Sequence, residues 1–246
     1  MLQSNPREEF LDLLNSYGTF MESIDTLADM GCGFGEDLEW WATRAILDDD
    51  DNEIPLNIKC TGIDLHTDKS KLVAQQHDNV VFENRDFEKA VDSDKRYDVI
   101  WCNNSFQYCI DPFETLKTWR EMMTEGGMLA MIVPATTYLE DNRTVITQGA
   151  HTLFHYTTVS LIHILAMAGF ETAFMQQHLG DPWIKLVAYK SKYEPFDPKT
   201  TSMYDLMGKH LLPHSAEECI HNYGYLRQDQ LTLPWLDKTL RWHGND

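Results

Sequence analysis

Three glycines at alternate positions follow a short, mostly apolar segment, and this pattern constrains the fold more than any other feature of the sequence. The segment Thr26–Met30 contains one acid, Asp29, and it is followed by Gly31, Gly33 and Gly35. Glycine lets the backbone turn tightly and lets a ligand approach without a Cβ in the way. The pattern therefore predicts a strand, a ligand-binding loop and a helix, in that order.

The loop differs from the phosphate-binding loops of dinucleotide-binding proteins in both spacing and charge. Those loops have the pattern Gly-x-Gly-x-x-Gly and leave the positive N-terminus of the helix bare for a pyrophosphate. Here the pattern is Gly-x-Gly-x-Gly, and Glu36 and Asp37 occupy the first helical turn. Two carboxylates would repel a phosphate but tolerate a sulfonium cation, so we expect a nucleoside ligand without phosphates.

Short β-rich segments alternate with helical periodicities along most of the chain, which is typical of βαβ units around a parallel sheet. The pattern predicts seven strands, at 25–30, 56–63, 79–83, 97–102, 128–133, 170–178 and 183–190. Predicted helices cover 6–23, 36–47, 68–76, 112–124 and 157–168. Residues 135–153 are expected to be irregular. The last two strands are joined by a short turn, so we expect them to pair antiparallel.

The charge balance disfavours several classes of partner. The 246 residues include 39 acids and 20 bases, which gives a formal net charge of −19 for this acidic protein. Such a surface repels nucleic-acid backbones and anionic membranes. The N-terminus is polar, and no segment approaches the ~18 apolar residues of a membrane span. We therefore expect no nucleic-acid or membrane partner. The five cysteines are odd in number and form no Cys-x-x-Cys motif, which is typical of reduced thiols and predicts a cytoplasmic protein. A homodimer is possible.

Together these features resemble the class I S-adenosylmethionine-dependent methyltransferases of the small-molecule type. The resemblance covers residues 24 to 190, and the segment 156–170 is similar to the helix before the sixth strand of such enzymes. It implies a Rossmann-like, seven-stranded, mostly parallel sheet with an antiparallel last strand, helices on both faces, and S-adenosylmethionine as cofactor. The expected parts are a lid helix at 1–23, the domain at 24–194 and a C-terminal extension at 195–246 that packs on it. We expect the lid to cover the donor rather than to build the core.

The resemblance also implies roles for the acids that follow the first three predicted strands. Asp29 would organise the glycine loop and reach the methionine ammonium of the donor, and Asp64 would accept both ribose hydroxyls. Asp86 would accept the adenine amino group, although an exposed loop acid is equally compatible with the sequence. The cofactor-binding set is completed by residues beside these acids and by one asparagine after the fourth strand: Gly31, Gly33, Gly35, Leu65, Phe87 and Asn103. A turn-forming asparagine is the alternative at the last of these positions.

The acceptor side is specified less closely. The fourth strand is followed by Asn103-Asn104-Ser105-Phe106, unlike the Asn/Asp-Pro-Pro-Tyr signature of enzymes that methylate base or glutamine nitrogens, and Gln107 and Tyr108 would line the cleft. His155 follows the fifth strand in the loop that forms one wall of the acceptor site in this family. We predict it as a general base, with a surface or core histidine as the alternative. None of the ten histidines lies in a recognisable zinc motif, so no metal is expected.

We therefore predict a methyltransferase that acts on a small-molecule acceptor, with O-methylation favoured over N- or C-methylation. The alternative from another class is a catalytically silent S-adenosylmethionine-binding partner protein. An NAD-dependent oxidoreductase is a second alternative, which the glycine spacing and the acidic first helical turn disfavour. The sequence does not identify the acceptor.

Overall fold

The computed structural model describes residues 6–16, 21–47, 52–65, 76–89, 94–138, 144–146, 152–177 and 182–226. Its strands are β1 Thr26–Met30, β2 Ala45–Leu47, β3 Glu53–Pro55, β4 Lys59–Asp64, β5 Val80–Asn84, β6 Tyr97–Asn103, β7 Met123–Pro134, β8 Thr136–Tyr138, β9 Thr144–Ile146, β10 Phe170–Gln176 and β11 Trp183–Lys190. Its helices are α1 Pro6–Asn15, α2 Glu36–Ala42, α3 Pro112–Glu121, α4 Thr158–Met167, α5 Met203–Met207 and α6 His214–Tyr223. Two 3-10 helices, η1 Phe87–Lys89 and η2 Phe106–Tyr108, lie after β5 and β6.

Seven of these strands form one sheet in the order β10-β11-β7-β6-β1-β4-β5. The pairs from β5 through β7 are parallel, whereas β11 runs antiparallel to both β7 and β10. The predicted mostly parallel sheet with an antiparallel last strand is thus confirmed. The strand order reverses between β1 and β6, and ligands of open α/β sheets bind in the crevice at such a point.

Successive strand residues point to opposite faces of the sheet and build two separate cores. One core lies under α1 and α2, and we call this side the α1/α2 face; its sheet residues include Leu27, Val99, Trp101, Met128, Ala130, Ile132, Phe174 and Val187. The other lies under α3 to α6, and we call it the α3/α4 face; its sheet residues include Ala28, Met30, Ile100, Cys102, Leu129, Met131 and Val133. Helices therefore cover both faces, as predicted.

Helix α1 contributes to the core of the α1/α2 face. Phe10, Leu11 and Leu14 are fully buried there, and the Phe10 ring stacks on Trp101 and on Phe174, with ring centroids 5.6 and 6.2 Å apart. The expectation that this helix covers the site without building the core is therefore wrong. The remainder of the predicted lid, at 1–5 and 17–20, lies outside the described residues.

Two predicted boundaries need correction, and one predicted helix cannot be compared. The helix expected over 36–47 ends at Ala42, because the next residues form β2 and pair antiparallel with β3, placing Ile46 opposite Ile54. The segment 135–153, expected to be irregular, contains the antiparallel pair β8–β9. The helix expected over 68–76 falls almost entirely outside the described residues.

The C-terminal extension packs on the α3/α4 face as far as it is described. Leu206 of α5 and Ile220 of α6 are fully buried in the same core as α4. Buried Arg120 of α3 holds the chain that leads into the extension, because its Nη2 donates to the carbonyls of Ser191 and Tyr193 at 3.1 and 2.6 Å. Residues 227–246 lie outside the described residues.

Candidate functional site

The glycine loop lies at the carboxyl end of β1, at the point where the strand order reverses. The amide of Gly31 donates to the carbonyl of Ile63 at 2.8 Å, which fixes the start of the loop against the end of β4. Gly31 adopts φ +80°, and a Cβ there would lie 2.4 Å from the Cβ of Ser105, so no other residue fits. Gly33 adopts φ +52°, and a Cβ there would meet nothing within 4 Å. The middle of the loop is therefore open to a ligand, while its first residue is closed by Ser105.

Asp29 is a buried acid with an unsatisfied oxygen. Its side chain is only 2% exposed, and Oδ2 has no hydrogen-bond partner among the described residues. Burial raises the pKa of Asp29 well above its usual value, and the negative charges of Asp37 and Asp64 raise it further. The positive charge of Arg7 acts in the opposite direction. A buried carboxylate of this kind favours a cationic ligand, which would supply the missing partner.

Asp37, in the first turn of α2, is held by three side chains from two other elements, β6 and α1. Its Oδ2 accepts hydrogen bonds from Trp101 Nε1 at 2.7 Å and from Asn103 Nδ2 at 3.0 Å, both on β6. Its Oδ1 forms an ion pair with Nε of Arg7 on α1. The carboxylate is therefore fixed in place and does not depend on a ligand for its hydrogen bonds.

Asp64 is the last residue of β4 and faces the glycine loop. Its Oδ2 accepts a hydrogen bond from the amide of Gly33 at 3.0 Å. The following residue, Leu65, is exposed. The structure thus brings the ends of β1 and β4 together through a contact between two residues that the sequence singled out.

Asp86 and Phe87 lie after β5, at the next strand end. Oδ1 of Asp86 accepts from the amide of Glu88 at 3.0 Å and so caps η1, while Oδ2 lies 3.5 Å from Nζ of Lys89. The ring of Phe87 lies between the glycine loop and Trp119: a Cβ on Gly31 would lie 3.7 Å from its Cε1, and its centroid is 6.1 Å from that of Trp119. Both residues therefore border the loop region, with the carboxylate of Asp86 partly engaged in local contacts.

The segment that contains His155 is hydrogen-bonded to Gln107 of η2, beyond the end of β6. The carbonyl of Gln107 accepts from the amides of Leu153 and Phe154 at 3.0 and 3.2 Å, which places the chain around His155 beside η2. The Gln107 side chain is 1% exposed, and Nε2 donates to the carbonyl and to Oδ1 of Asn104 at 2.9 and 2.7 Å. Oε1 of Gln107 and Nδ1 of His155 are both buried and have no hydrogen-bond partner within the described ranges. Two buried polar atoms on adjoining segments are thus left for another group to satisfy.

Comparisons with known proteins agree with this geometry. Residues 28–129 match the family model of the methyltransferase domain. These residues therefore form a methyltransferase domain. S-adenosylmethionine is the cofactor of this family, and methyl transfer is its reaction. No curated protein matches the sequence of this methyltransferase.

Solved structures share the fold at low sequence identity. A candidate sarcosine dimethylglycine methyltransferase from Galdieria sulphuraria has a TM-score of 0.59 at 10% identity, over 76% of this chain and 85% of that chain. A 1,6-didemethyltoxoflavin N1-methyltransferase from Burkholderia thailandensis, solved with S-adenosylhomocysteine, has a TM-score of 0.57 at 15% identity, over 75% and 77%. The [4+2]-cyclase SpnF has a TM-score of 0.56 at 15% identity, over 77% and 81%. The methyltransferase fold is therefore shared by proteins named for different reactions.

The residues of the methyltransferase site fit the cofactor. The open side of Gly33 leaves room for a ligand backbone or sugar, and the unsatisfied oxygen of Asp29 suits an ammonium group. Asp29, Asp37 and Asp64 make the site negative, which suits a ligand that carries a sulfonium and an ammonium.

The described residues gather no three His, Cys, Asp or Glu side chains in an arrangement that could bind a metal ion. Within the same ranges, no helix has both the length and the hydrophobicity of a membrane span.

Sequence reasoning missed several residues of the site. Arg7 and Trp101 contact Asp37 across 30 and 64 positions of the chain, and no local pattern links them. Ser105 closes the loop over Gly31 and donates to the carbonyl of Met30. The sequence indicates its place in the site only weakly, through its position just after the end of a buried strand.

Proposed function

We propose that this methyltransferase transfers a methyl group from S-adenosylmethionine to a small-molecule acceptor, with a hydroxyl oxygen as the favoured target. One observation carries the donor half of the proposal: the unsatisfied, buried Asp29 lies beside two further acids at an open glycine loop. This arrangement suits a cationic nucleoside and disfavours a pyrophosphate.

On this proposal, each donor-binding residue has a distinct task. Asp29 would bind the ammonium of the methionine part, and Asp64 would accept hydrogen bonds from the ribose hydroxyls while keeping its bond to Gly33. Asp86 and Phe87 would border the adenine. Leu65 would cover the ribose edge, and the amide of Asn103 would act through Asp37 rather than on the donor directly.

The bound donor supplies an activated methyl group on sulfur, so the protein needs no group to activate the leaving group. What remains is to hold the acceptor in line with the methyl and to accept a proton from a hydroxyl nucleophile. His155 is our proposed base, since its buried Nδ1 has no partner in the described part of the chain. Gln107 would accept a hydrogen bond from the acceptor, because its Nε2 is committed to Asn104 and its Oε1 is left over.

The preference for oxygen follows from the chemistry of the nucleophile. A hydroxyl is a poor nucleophile until its proton is removed, whereas a neutral amine needs no base. The segment Asn103–Phe106 also lacks the signature of enzymes that methylate base or glutamine nitrogens. A base in the acceptor wall therefore supports O-methylation.

The first experiment is calorimetric titration with S-adenosylhomocysteine and with NAD. We expect binding of the first at micromolar concentration and no measurable binding of the second. Incubation with methyl-labelled S-adenosylmethionine and a metabolite extract should then label small molecules, and His155→Gln should lower that rate by about a hundredfold. The exposed His221 provides the control, and His221→Gln should leave the rate unchanged. Binding of NAD in place of S-adenosylhomocysteine would refute the proposal.

A second candidate function is donor binding without methyl transfer. It is favoured by the similarity to SpnF, a protein of this fold named as a cyclase. The two candidates predict the same binding of S-adenosylhomocysteine, but only the first predicts label in the extract. Binding without any transfer, across extracts from several sources, would support the second candidate.

A further inference from the structure

We propose that Arg7 is a positioning residue for the donor, through which the docking of α1 and the binding of the donor stabilise each other. The inference depends on the proposed function only in that it takes the ligand at the glycine loop to be S-adenosylmethionine or its product. It assigns a role to a residue that lies outside the matched domain at 28–129.

The first observation is the pair of contacts that Arg7 makes at the N-terminus of α2. Its Nε forms an ion pair with Oδ1 of Asp37, and its Nη2 donates to the carbonyl of Glu36 at 3.0 Å. The two side chains of the ion pair are 24% and 10% exposed, so the pair is largely removed from water. An arginine that engages both a carboxylate and a neighbouring carbonyl fixes position as well as charge.

The second observation is that α1 is seated in a single register. On one flank of the buried Phe10, Arg7 meets Asp37; on the other, Glu9 forms an ion pair with Nζ of Lys185 on β11. Lys185 is 1% exposed, so a buried positive charge is compensated by α1. Arg7 of α1 therefore matches the charge of Asp37, and Glu9 matches that of Lys185. These two opposite pairs fix how the helix docks on the α1/α2 face.

The third observation is the charge of the site itself. Asp29, Asp37 and Asp64 influence one another, and the charge of Arg7 opposes the rise that burial and the two other acids cause in the pKa of Asp29. Among the described residues, Asp29 also interacts electrostatically with the thiols of Cys32, Cys60 and Cys102. Burial raises the pKa of each of these thiols, so they stay neutral. Arg7 is thus the cation whose charge favours the anionic form of Asp29, the form that would bind the ammonium of the ligand.

These observations imply coupling in both directions. When α1 is docked, Arg7 fixes the start of α2, which follows the glycine loop directly, and lowers the cost of ionising Asp29. A ligand that binds the anionic form of Asp29 must then favour the docked helix to the same extent, because coupling free energies are reciprocal.

A purely structural role for Arg7 is the competing explanation, and it makes a different prediction. If Arg7 only secures α1, then breaking the other ion pair of the same helix should affect ligand affinity just as much. If Arg7 positions Asp37 and supports the charge of Asp29, then its loss should weaken ligand binding specifically and should change the dependence of that binding on pH.

The test is calorimetric titration of S-adenosylhomocysteine into the full chain and into three variants, from pH 6 to pH 8.5. Arg7→Gln removes the charge but keeps the apolar stem, Arg7→Lys keeps the charge, and Glu9→Gln is the matched control on the other flank of α1. We expect Arg7→Gln to weaken binding about tenfold at neutral pH. Arg7→Lys and Glu9→Gln should each stay within about threefold of the parent chain, because Glu9→Gln weakens only the docking of α1 and leaves the contact of Arg7 with Asp37 in place. In Arg7→Gln, the loss of affinity on acidification should begin at a higher pH than in the parent chain, because without Arg7 the pKa of Asp29 rises further.

Hydrogen exchange supplies a second readout that does not depend on stability alone. In the parent chain, S-adenosylhomocysteine should slow exchange of the α1 amides, and in Arg7→Gln this protection should be largely lost. Equal losses of affinity in Arg7→Gln and Glu9→Gln with unchanged pH profiles would overturn the inference, as would parent-like binding by Arg7→Gln. If the parent chain does not bind S-adenosylhomocysteine at all, the proposed function fails first.

Discussion

Two segments flank the methyltransferase domain, and they contribute to it in different ways. Helix α1 packs on the α1/α2 face and sends a charged side chain to the carboxyl ends of the strands, where Arg7 meets Asp37. The C-terminal extension packs on the α3/α4 face through apolar side chains such as Leu206 and Ile220, and the amide of Phe196 donates to the carbonyl of Met167 on α4 at 2.8 Å. Both segments fill a core, but within the described residues only α1 contacts a carboxylate of the candidate site.

The arginines that secure these segments show the same contrast. Arg7 belongs to the flanking helix and contacts a carboxylate of the candidate site. Arg120 belongs to the domain and contacts two backbone carbonyls and the exposed carboxylate of Glu194 in the chain leaving it, away from the site. A bond to a carbonyl adds stability without changing the charge of a site. A bond to a carboxylate of the site adds stability and also changes the charge of the site. We therefore expect α1, but not the extension, to influence ligand binding.

The largest effect tests whether α1 is part of the core. Phe10→Ala should lower the free energy of unfolding by about 3–5 kcal/mol, because the ring is fully buried between Trp101 and Phe174. Denaturant titration measures this change, with Tyr204→Ala, an exposed position on α5, as the control expected within about 0.5 kcal/mol. A loss of donor affinity without a loss of stability would restore the view of α1 as a cover alone.

Arg120→Ala should lower the free energy of unfolding without changing ligand affinity. The substitution leaves the carbonyls of Ser191 and Tyr193 without their donor, so we expect a loss of about 3 kcal/mol in the free energy of unfolding. Affinity for S-adenosylhomocysteine in the folded variant should match the parent. Lys117→Ala breaks an exposed ion pair with Glu114 and a contact of the ammonium with the Phe113 ring, both on the same helix, and should cost less than about 1 kcal/mol. Weakened binding by Arg120→Ala would mean that the extension also communicates with the site.

At the strand ends, Asp64→Ala should lose more donor affinity than Asp86→Ala. Asp64 is proposed to accept two hydrogen bonds from the ribose and also holds Gly33, so its loss should cost about tenfold or more. Asp86 already caps η1 and its side chain is 34% exposed, so water can replace part of its role and the loss should be about threefold. Titration with S-adenosylhomocysteine measures both, and circular dichroism checks that both variants fold. Equal or reversed losses would show that the two ligand contacts are misassigned.

The smallest effect concerns Asp29 in the absence of ligand. Burial and the neighbouring acids raise its pKa in the folded chain, so its ionised form destabilises the fold, and protonation relieves this as the pH falls. Asp29→Asn should therefore raise the free energy of unfolding by about 1 kcal/mol at neutral pH, and the gain should shrink on acidification as the parent carboxyl becomes protonated. Donor binding should be lost in the same variant. A gain that grows toward low pH would contradict this account.

Much of the fold could be predicted because its signals are local. The strands β1, β4, β6 and β7 are apolar segments between turn-forming residues, and their order along the chain implies parallel pairing. Local signals failed where two short segments pair with each other, as at β2 with β3 and at β8 with β9, since neither segment alone is long enough to stand out. For this reason the predicted helix over 36–47 included the residues that form β2.

The site was predictable only in part. The placement of Asp29, Gly33 and Asp64 at neighbouring strand ends could be predicted because strand ends and glycine spacing are visible in the sequence, and Asp64 contacts Gly33. Their roles at the donor stay predictions, as does that of Asn103, whose amide donates to Asp37. Contacts such as that of Arg7 with Asp37 depend on how a separate helix docks on the sheet, and no spacing rule relates residues brought together in that way.

The burial of Lys185 makes this side chain a natural reporter. An amine-directed acylating reagent needs an uncharged, accessible amino group, and at 1% exposure beneath Glu9 that group is shielded while α1 is docked. The rate at which Lys185 is acylated therefore measures how often α1 leaves the sheet. Exposed lysines such as Lys89 provide the internal standard for the reagent. Saturating the chain with a ligand that favours the docked helix would slow this one modification and leave the others unchanged.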